Sequence, residues 1–489
     1  MSRLLTLLLA ASLCAAQEVS APRIWNDEAL ADWAVPVAGV NARPGHFSEQ
    51  EYQDAPLGEW VRTYPVYFPG REPAGYWEMI QNKKPEPIIT PGPRTAAEWI
   101  AAGRQVFHEL DVPPFRSYDP KHFAIVRSAE EYKKLGGHPQ KDGTVAGLRL
   151  APTSRGLALS VRECAGCHVR TMPDGSEYDG APANDPGDAL IGQLVAEGLR
   201  TFFKGETLAM VNWRSFAVPW IPDDIHAGLK AMPQSEMEQL LASNIPGTFP
   251  RFNGSPYYTT KIPDLIGVGE RKYIDATATH RLRNAEDIAR YGALITCCDS
   301  ADFGPHRMLS DRLRVVQDPY SDDLLYALAQ YIVSIEPPPN PHAGDTRAPA
   351  GKIVFEREGC VACHTPPLYT SNKLTPAQGY EPPDDHPFAK DILPVSVGTD
   401  PSLALRTRKG TGLYKIPSLK GVWYRGLYGH DGSVASLEDW FDPARLRDDY
   451  VPTGFKGYQV ERRAVPGHEF GVRLTADDKA ALIVFLRTL

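Results

Sequence analysis

Apolar residues recur three and four apart in two distant stretches of the chain. In the first, Ala327, Leu328, Tyr331, Ile332 and Ile335 follow Ser321. In the second, Ala481, Leu482, Phe485, Leu486 and Leu489 follow Thr475. A hydroxyl residue ahead of such a run is a helix cap, so each stretch predicts an amphipathic helix with one face to bury. A third helix is predicted from Ala96 to about Leu110, where Thr95 and Glu98 form a capping box. It contains Ala102-Gly103-Arg104-Gln105-Val106-Phe107, which returns downstream as Ala350-Gly351-Lys352-Ile353-Val354-Phe355.

A further echo lies between opening and closing helices. Lys261-Ile262-Pro263-Asp264-Leu265-Ile266-Gly267-Val268 matches Lys415-Ile416-Pro417-Ser418-Leu419-Lys420-Gly421-Val422. Three echoes in one order imply an internal duplication, with units at 96–336 and 348–489. Residues 337–347 form the linker, which opens with the stiff run Pro337-Pro338-Pro339-Asn340-Pro341. Residues 17–95 are rich in Pro and aromatics, among them Trp25, Trp33, Trp60 and Trp77. That is too aromatic for a disordered tail, so an ordered wrap with no assigned chemistry is expected. The 45 Pro and 41 Gly predict long irregular connections between short helices. The expected fold is mostly α: two helical domains with long loops and an N-terminal extension.

Residues 1–16 read as an export signal. Arg3 starts it, Leu4 to Leu13 is a short apolar run, and Cys14-Ala15-Ala16 offers small residues before Gln17. No later apolar run is long enough to span a membrane. The net charge of −8 argues against a nucleic-acid partner.

The chemistry lies in Cys164-Ala165-Gly166-Cys167-His168 and Cys360-Val361-Ala362-Cys363-His364. C-x-x-C-H attaches a c-type haem: the two thiols bind its vinyl groups, and the His ligates the iron. Cys164, Cys167, Cys360 and Cys363 are thus the expected attachment residues, and His168 and His364 the proximal ligands. Export suits this chemistry, since c-type haems are attached outside the cytoplasm, in the periplasm or beyond. In the second unit no Met follows Met308, so a Met ligand cannot come from within it. His468, in Pro466-Gly467-His468 just ahead of the closing helix, is the favoured sixth ligand. His430, in Tyr428-Gly429-His430, is the runner-up, and His386 is expected to be solvated. In the first unit Ala276 or Ala278 aligns with His430, so an open iron is expected there. His280, His306, His226, Trp213 and Trp220 are the residues that could approach it. Cys297-Cys298 reads as a vicinal disulfide or as two buried thiols.

The paired C-x-x-C-H motifs, K-I-P-S-L-K-G-V followed by Tyr428-Gly-His-Asp-Gly-Ser-Val434, Ser436-Leu-Glu-Asp439 and Gly467-His-Glu-Phe-Gly471 resemble the bacterial di-haem cytochrome c peroxidases. The wider group holds the enzyme that matures methylamine dehydrogenase and the haem-dependent rubber oxygenases, whose layout the haem spacing is most similar to. The resemblance is specific over 351–489, looser over 96–336 and absent over 17–95. It implies two cytochrome c domains, a calcium ion near their interface, a reactive first haem and an electron-storing second haem. It also implies peroxide or oxygen as substrate and a small redox protein or quinol-linked electron donor. The family's usual Met on the second haem is missing here, and its Trp between the haems is not placed by any motif; Trp213 and Trp220 are the candidates. The competing readings are a plain electron carrier with both irons closed and an oxygenase acting on a large apolar substrate.

Two intact motifs behind an export signal predict a mature protein that starts near Gln17 and carries two covalent haems. Intact-mass measurement of the exported protein checks both points, and a mass with one haem or none defeats the reading.

Overall fold

The computed structural model describes residues 17–184 and 189–489; the expected export signal lies outside them. Helix takes up 35% and strand 13% of the chain. Helix therefore outweighs strand, but irregular connections outweigh both, and several small sheets replace the helices-and-loops picture. The largest joins Tyr64–Tyr67 of the N-terminal segment to a hairpin, Thr144–Thr153 with Gly156–Val161. The hairpin register runs from Leu148 opposite Val161 to Thr153 opposite Gly156. It occupies the long segment between Phe107 and Cys164. Among the described residues no helix is long and apolar enough to cross a membrane.

Each unit is built on one helix crossing. In the first, Ala96–Glu109 packs on Asp322–Ser334; in the second, Ala348–Arg357 packs on Ala476–Arg487. Thr95 accepts from the Glu98 amide and Glu98 reaches back, closing the capping box, and Ser321 and Thr475 cap the closing helices. The echoed glycine is the point of contact. A Cβ at Gly103 would stand 1.9 Å from the Ala327 carbonyl oxygen, and one at Gly351 1.9 Å from that of Ala481. Ala327 and Ala481 occupy equivalent places in the two closing helices. The duplication is therefore a repeated close approach of two backbones.

The N-terminal segment is part of the first unit's core. Trp25 and Trp33 are fully buried there, with Trp99, Phe107 and the closing-helix residues Leu325 and Leu328. Trp60 stacks on Tyr320 at 4.1 Å and donates its indole N–H to the Pro319 carbonyl. Cys297 and Cys298 are joined as a vicinal disulfide, buried in the same core against which Cys164 packs.

The two K-I-P segments meet. The Lys261 amide donates to the His430 carbonyl at 2.9 Å, and the Lys415 amide donates to the Ala276 carbonyl at 3.0 Å. His430 and Ala276 are equivalent positions, so the units exchange the same bond in both directions, as in a two-fold interface. Arg271 donates to the carbonyls of Asp264 and Ile266, and Arg425 to those of Ser418 and Lys420. These are also equivalent, and they extend the motif to K-I-P-x-L-x-G-V-x-x-R.

Adding a methyl group at either crossing must push two backbones apart. Gly103→Ala and Gly351→Ala are each expected to cost at least about 1–3 kcal/mol. Thermal unfolding should show a Tm several degrees lower, whereas Gly228→Ala, at a position with open space, should not.

Candidate functional site

In the second unit the motif Cys360–His364 follows the opening helix directly. Both thiols are free and partly exposed. His364 is buried, and its Nδ1 lies 3.2 Å from the Tyr369 carbonyl. Across from it stands His468, with the two ring centroids 6.2 Å apart. The loop carrying His468 is held tightly. A Cβ at Gly467 would come within 2.4 Å of the Thr399 nitrogen, and both Gly467 and His468 have positive φ. The His468 amide donates to the Val397 carbonyl at 2.7 Å. Arg445, fully buried, donates to the carbonyls of Trp440, Val465 and His468 at 2.8, 2.6 and 2.8 Å. Burial, and then His364, push His468 down to about 4, so its imidazole is neutral at physiological pH. His430 instead lies against Tyr414, ring centroids 4.9 Å apart. His386 is buried rather than solvated: its Nδ1 accepts from the Phe388 amide at 3.2 Å.

The first unit differs. Cys164 and Cys167 are free thiols, and His168 is half-buried, with its Nδ1 out of solvent and unpartnered. Burial and then the Arg251 charge hold His168 down to about 4. Arg251 pairs with Asp275, which also accepts from the Tyr291 hydroxyl and, at 3.1 Å, from Thr279. Burial raises the Asp275 carboxyl, but Arg251 and Lys409 outweigh it and hold it low. Asp275 sits, with positive φ, in the turn between Tyr273–Ile274 and His280–Arg281. The turn is docked on the second unit: Thr277 donates to the Lys409 carbonyl at 2.7 Å.

Beyond that turn His280 tilts against Trp33 at 4.3 Å and His46 at 5.4 Å. Both nitrogens of His46 and Nε2 of His280 are buried without a partner. Burial, then Lys409, lowers His46 to about 4, and burial, then His46, holds His280 well below the ordinary imidazole value. His46 comes from the N-terminal segment, to which sequence reading assigned no chemistry. The signal was present: Pro44-Gly45-His46 repeats the Pro-Gly-His of 466–468. Arg251, Asp275, Tyr291 and Lys409 were also missed. They are far apart in sequence, and no local pattern marks them.

The other candidates are structural. His226 is fully buried between Asp224 and Ser255, at 2.7 and 2.6 Å. Trp220 lies against Phe303 and His306, and Trp213 beneath Lys230.

Between the units, cations gather. Asp264 is buried and receives Tyr424, Arg425 and, at 3.7 Å, Arg271. Burial, then Arg425, lowers Lys261 to about 8; burial, then Arg271, lowers Lys415 to about 7. Among the described residues no group of three or more His, Cys, Asp or Glu side chains is placed to hold a metal ion. A calcium ion at this interface would therefore meet Lys and Arg rather than a carboxylate cluster.

A haem fits both motifs on these observations. The thiols are free, His364 and the Nδ1 of His168 are buried, and the lysines and arginines gathered between the units suit a group that brings carboxylates.

No family model and no curated protein matches this chain. Two solved structures give partial overlays. One is hydrazine synthase of Kuenenia stuttgartiensis, 15% identical, TM-score 0.29, covering 50% of this chain and 77% of the other. The second is a MauG-like protein associated with microbial copper homeostasis, 16% identical, TM-score 0.30, covering 57% of this chain and 87% of the other.

One buried carboxyl beside the first motif carries a pH prediction. Glu163 accepts from Thr296 and Tyr320 at 2.6 and 2.7 Å, and burial pushes it up to about 7. Its folded pKa exceeds the unfolded value, so its contribution is intact below 4.5 and is lost as pH rises through about 7. Thermal unfolding across that range should show Tm falling with pH in the parent protein. Glu163→Gln, which keeps the acceptor, should flatten the fall; an unchanged slope contradicts the assignment.

Proposed function

We propose that the chain is an exported di-haem c-type oxidoreductase of the peroxidase type, acting on peroxide or oxygen. Cys164, Cys167 and His168 would hold the reactive haem. Cys360, Cys363, His364 and His468 would hold a closed haem that stores an electron. The observation that carries the reading is the contrast between the two proximal histidines. His364 and His468 face each other closely enough that both could hold one haem iron. The 6.2 Å between His364 and His468 suits that arrangement.

His168 has polar and charged neighbours of another kind. A bound haem supplies the redox chemistry and a position for a small ligand. The chain supplies the surroundings. Arg251 and Lys409 place positive charge near the site, and the Tyr291 hydroxyl is fixed by Asp275. His46, with both ring nitrogens unpartnered, and His280, with Nε2 unpartnered and Nδ1 against the Thr279 hydroxyl, are able to take up or hand on a proton, the role of a general acid–base. Trp25, Trp33 and the N-terminal segment exclude water from this side. A cavity edged by Arg251, Asp275 and Lys409 favours a small polar oxidant over the large apolar chain of a rubber-type oxygenase. Electrons would come from a small redox protein or a quinol-linked donor outside the cytoplasm.

Cyanide or carbon monoxide, added in the matching redox state, should bind one haem, and Cys167→Ala should abolish that binding. EPR should show His468→Ala converting a low-spin iron to high-spin, while His430→Ala leaves it low-spin. Binding to neither haem would make the protein an electron carrier, and a reversed pair of EPR results would make His430 the ligand.

A further inference from the structure

We infer that the junction between the two units is closed by the guanidinium groups of Arg271 and Arg425, and that it needs no divalent cation. The resemblance gives this place to a calcium ion. Calcium takes about six to eight oxygen ligands, carboxylates and carbonyls among them. Here those oxygens are engaged by the chain's own donors.

The carboxylates are taken. Asp264 is buried; its Oδ1 accepts from the Ile266 amide at 3.1 Å. Its Oδ2 accepts from Arg425 at 2.8 Å and from the Tyr424 hydroxyl at 3.0 Å, with Arg271 at 3.7 Å. Glu270 pairs with Lys420 at 2.9 Å, and Asp275 with Arg251. The carbonyls are taken as well. In the first K-I-P segment those of Asp264 and Ile266 accept from Arg271, and that of Leu265 from the Val268 amide. In the second, those of Ser418 and Lys420 accept from Arg425, that of Leu419 from the Val422 amide, and that of Ile416 from the Thr370 hydroxyl.

The charges around these oxygens repel a metal ion. Burial is the largest cause lowering Lys261 and Lys415, and Arg425 and Arg271 push both down further. Arg170 adds to the positive field at Lys261. Asp264 faces Lys261 and Asp275 faces Lys415, but each already holds an arginine. A divalent ion would meet this fixed positive charge and would have to displace a guanidinium from Asp264. The planar fork of arginine suits the place, because it donates to several oxygens at once. Both arginines stand at the end of K-I-P-x-L-x-G-V-x-x-R, so the duplication supplies one clasp to each unit. The Pro263 and Pro417 carbonyls of the clasped segments face His168 and His364. Arg425 is therefore a positioning residue for His364. None of this depends on how either iron is ligated on its far side.

The full-length holoprotein is tested by elemental analysis for calcium after gel filtration, and by Tm in calcium chloride and in the chelator EGTA. No stoichiometric calcium and the same Tm in both media are expected. Arg425→Lys keeps the charge but cannot reach Asp264 and two carbonyls together. Its Tm should fall by several degrees, and the midpoint potential of the haem on His364 should shift. Calcium chloride should restore neither. Arg347→Lys, at an exposed ion pair, should change neither. One calcium per chain in the parent, or a fall of its Tm in EGTA, overturns the inference. An Arg425→Lys protein with the parent's Tm and potential also overturns it, because the guanidinium would then be dispensable. The calcium measurements use the parent alone, so they decide even where Arg425→Lys fails to fold. Failure here leaves the EPR and cyanide results untouched, so the two readings fall separately.

Discussion

The exchange of backbone bonds between Lys261 and His430 and between Lys415 and Ala276 fixes how the two units face each other. Everything functional is placed by it. It brings the K-I-P segments together, so the carbonyls of Pro263 and Pro417 lie by His168 and His364 in matching positions. It sets the turn carrying Asp275 against Lys409 of the other unit. Arg271 and Arg425 then tie each segment's own carbonyls, so the exchanged edges are rigid before they meet. A two-fold contact made by a duplicated chain costs no new surface, because each half uses the same residues twice.

Much of this was legible in the order of the residues. Gly103 and Gly351 stood out as echoes, and the helix crossings explain them: any larger residue meets the carbonyl of Ala327 or Ala481. His468 was legible because a glycine precedes it and a closing helix follows. By the same sign Pro44-Gly45-His46 was equally legible, but it stood in a segment with no haem motif to draw attention to it. Arg271 and Arg425 needed only three more residues of motif. The hairpin between Phe107 and Cys164 was hidden for another reason: most of Leu150 to Val161 is buried on both faces, which blurs the alternation that marks a half-buried strand. Arg251, Tyr291 and Lys409 meet only through tertiary packing, and no local period encodes that.

The duplication has been broken in a directed way. In the second unit Arg445 donates to the Val465 and His468 carbonyls of the loop that presents His468, and anchors it to the Trp440 carbonyl. The first unit differs: the segment that aligns with Gly429–His430 is a turn carrying Asp275, and a strand, Pro44–His46, is contributed from outside the repeat. One histidine-bearing Pro-Gly-His is thus clamped opposite a proximal His, and the other is left with both ring nitrogens free in a cavity. The same local chemistry serves to close one site and to equip the other.

The buried charge around the first site then has a consequence for folding. Arg408 is fully buried and Lys261, Lys409 and Lys415 are half-buried, and burial is the largest cause lowering each of them. Asp264 and Asp275 are already shared among arginines and tyrosines, so they cannot serve these cations fully. The cost of taking these cations out of water is offset by apolar packing around them. Trp25, Trp33 and Trp99 provide that packing in the first unit. Any anion or carboxylate-bearing group that enters is bound by the folded chain and not by the unfolded one. Its binding energy therefore adds directly to stability.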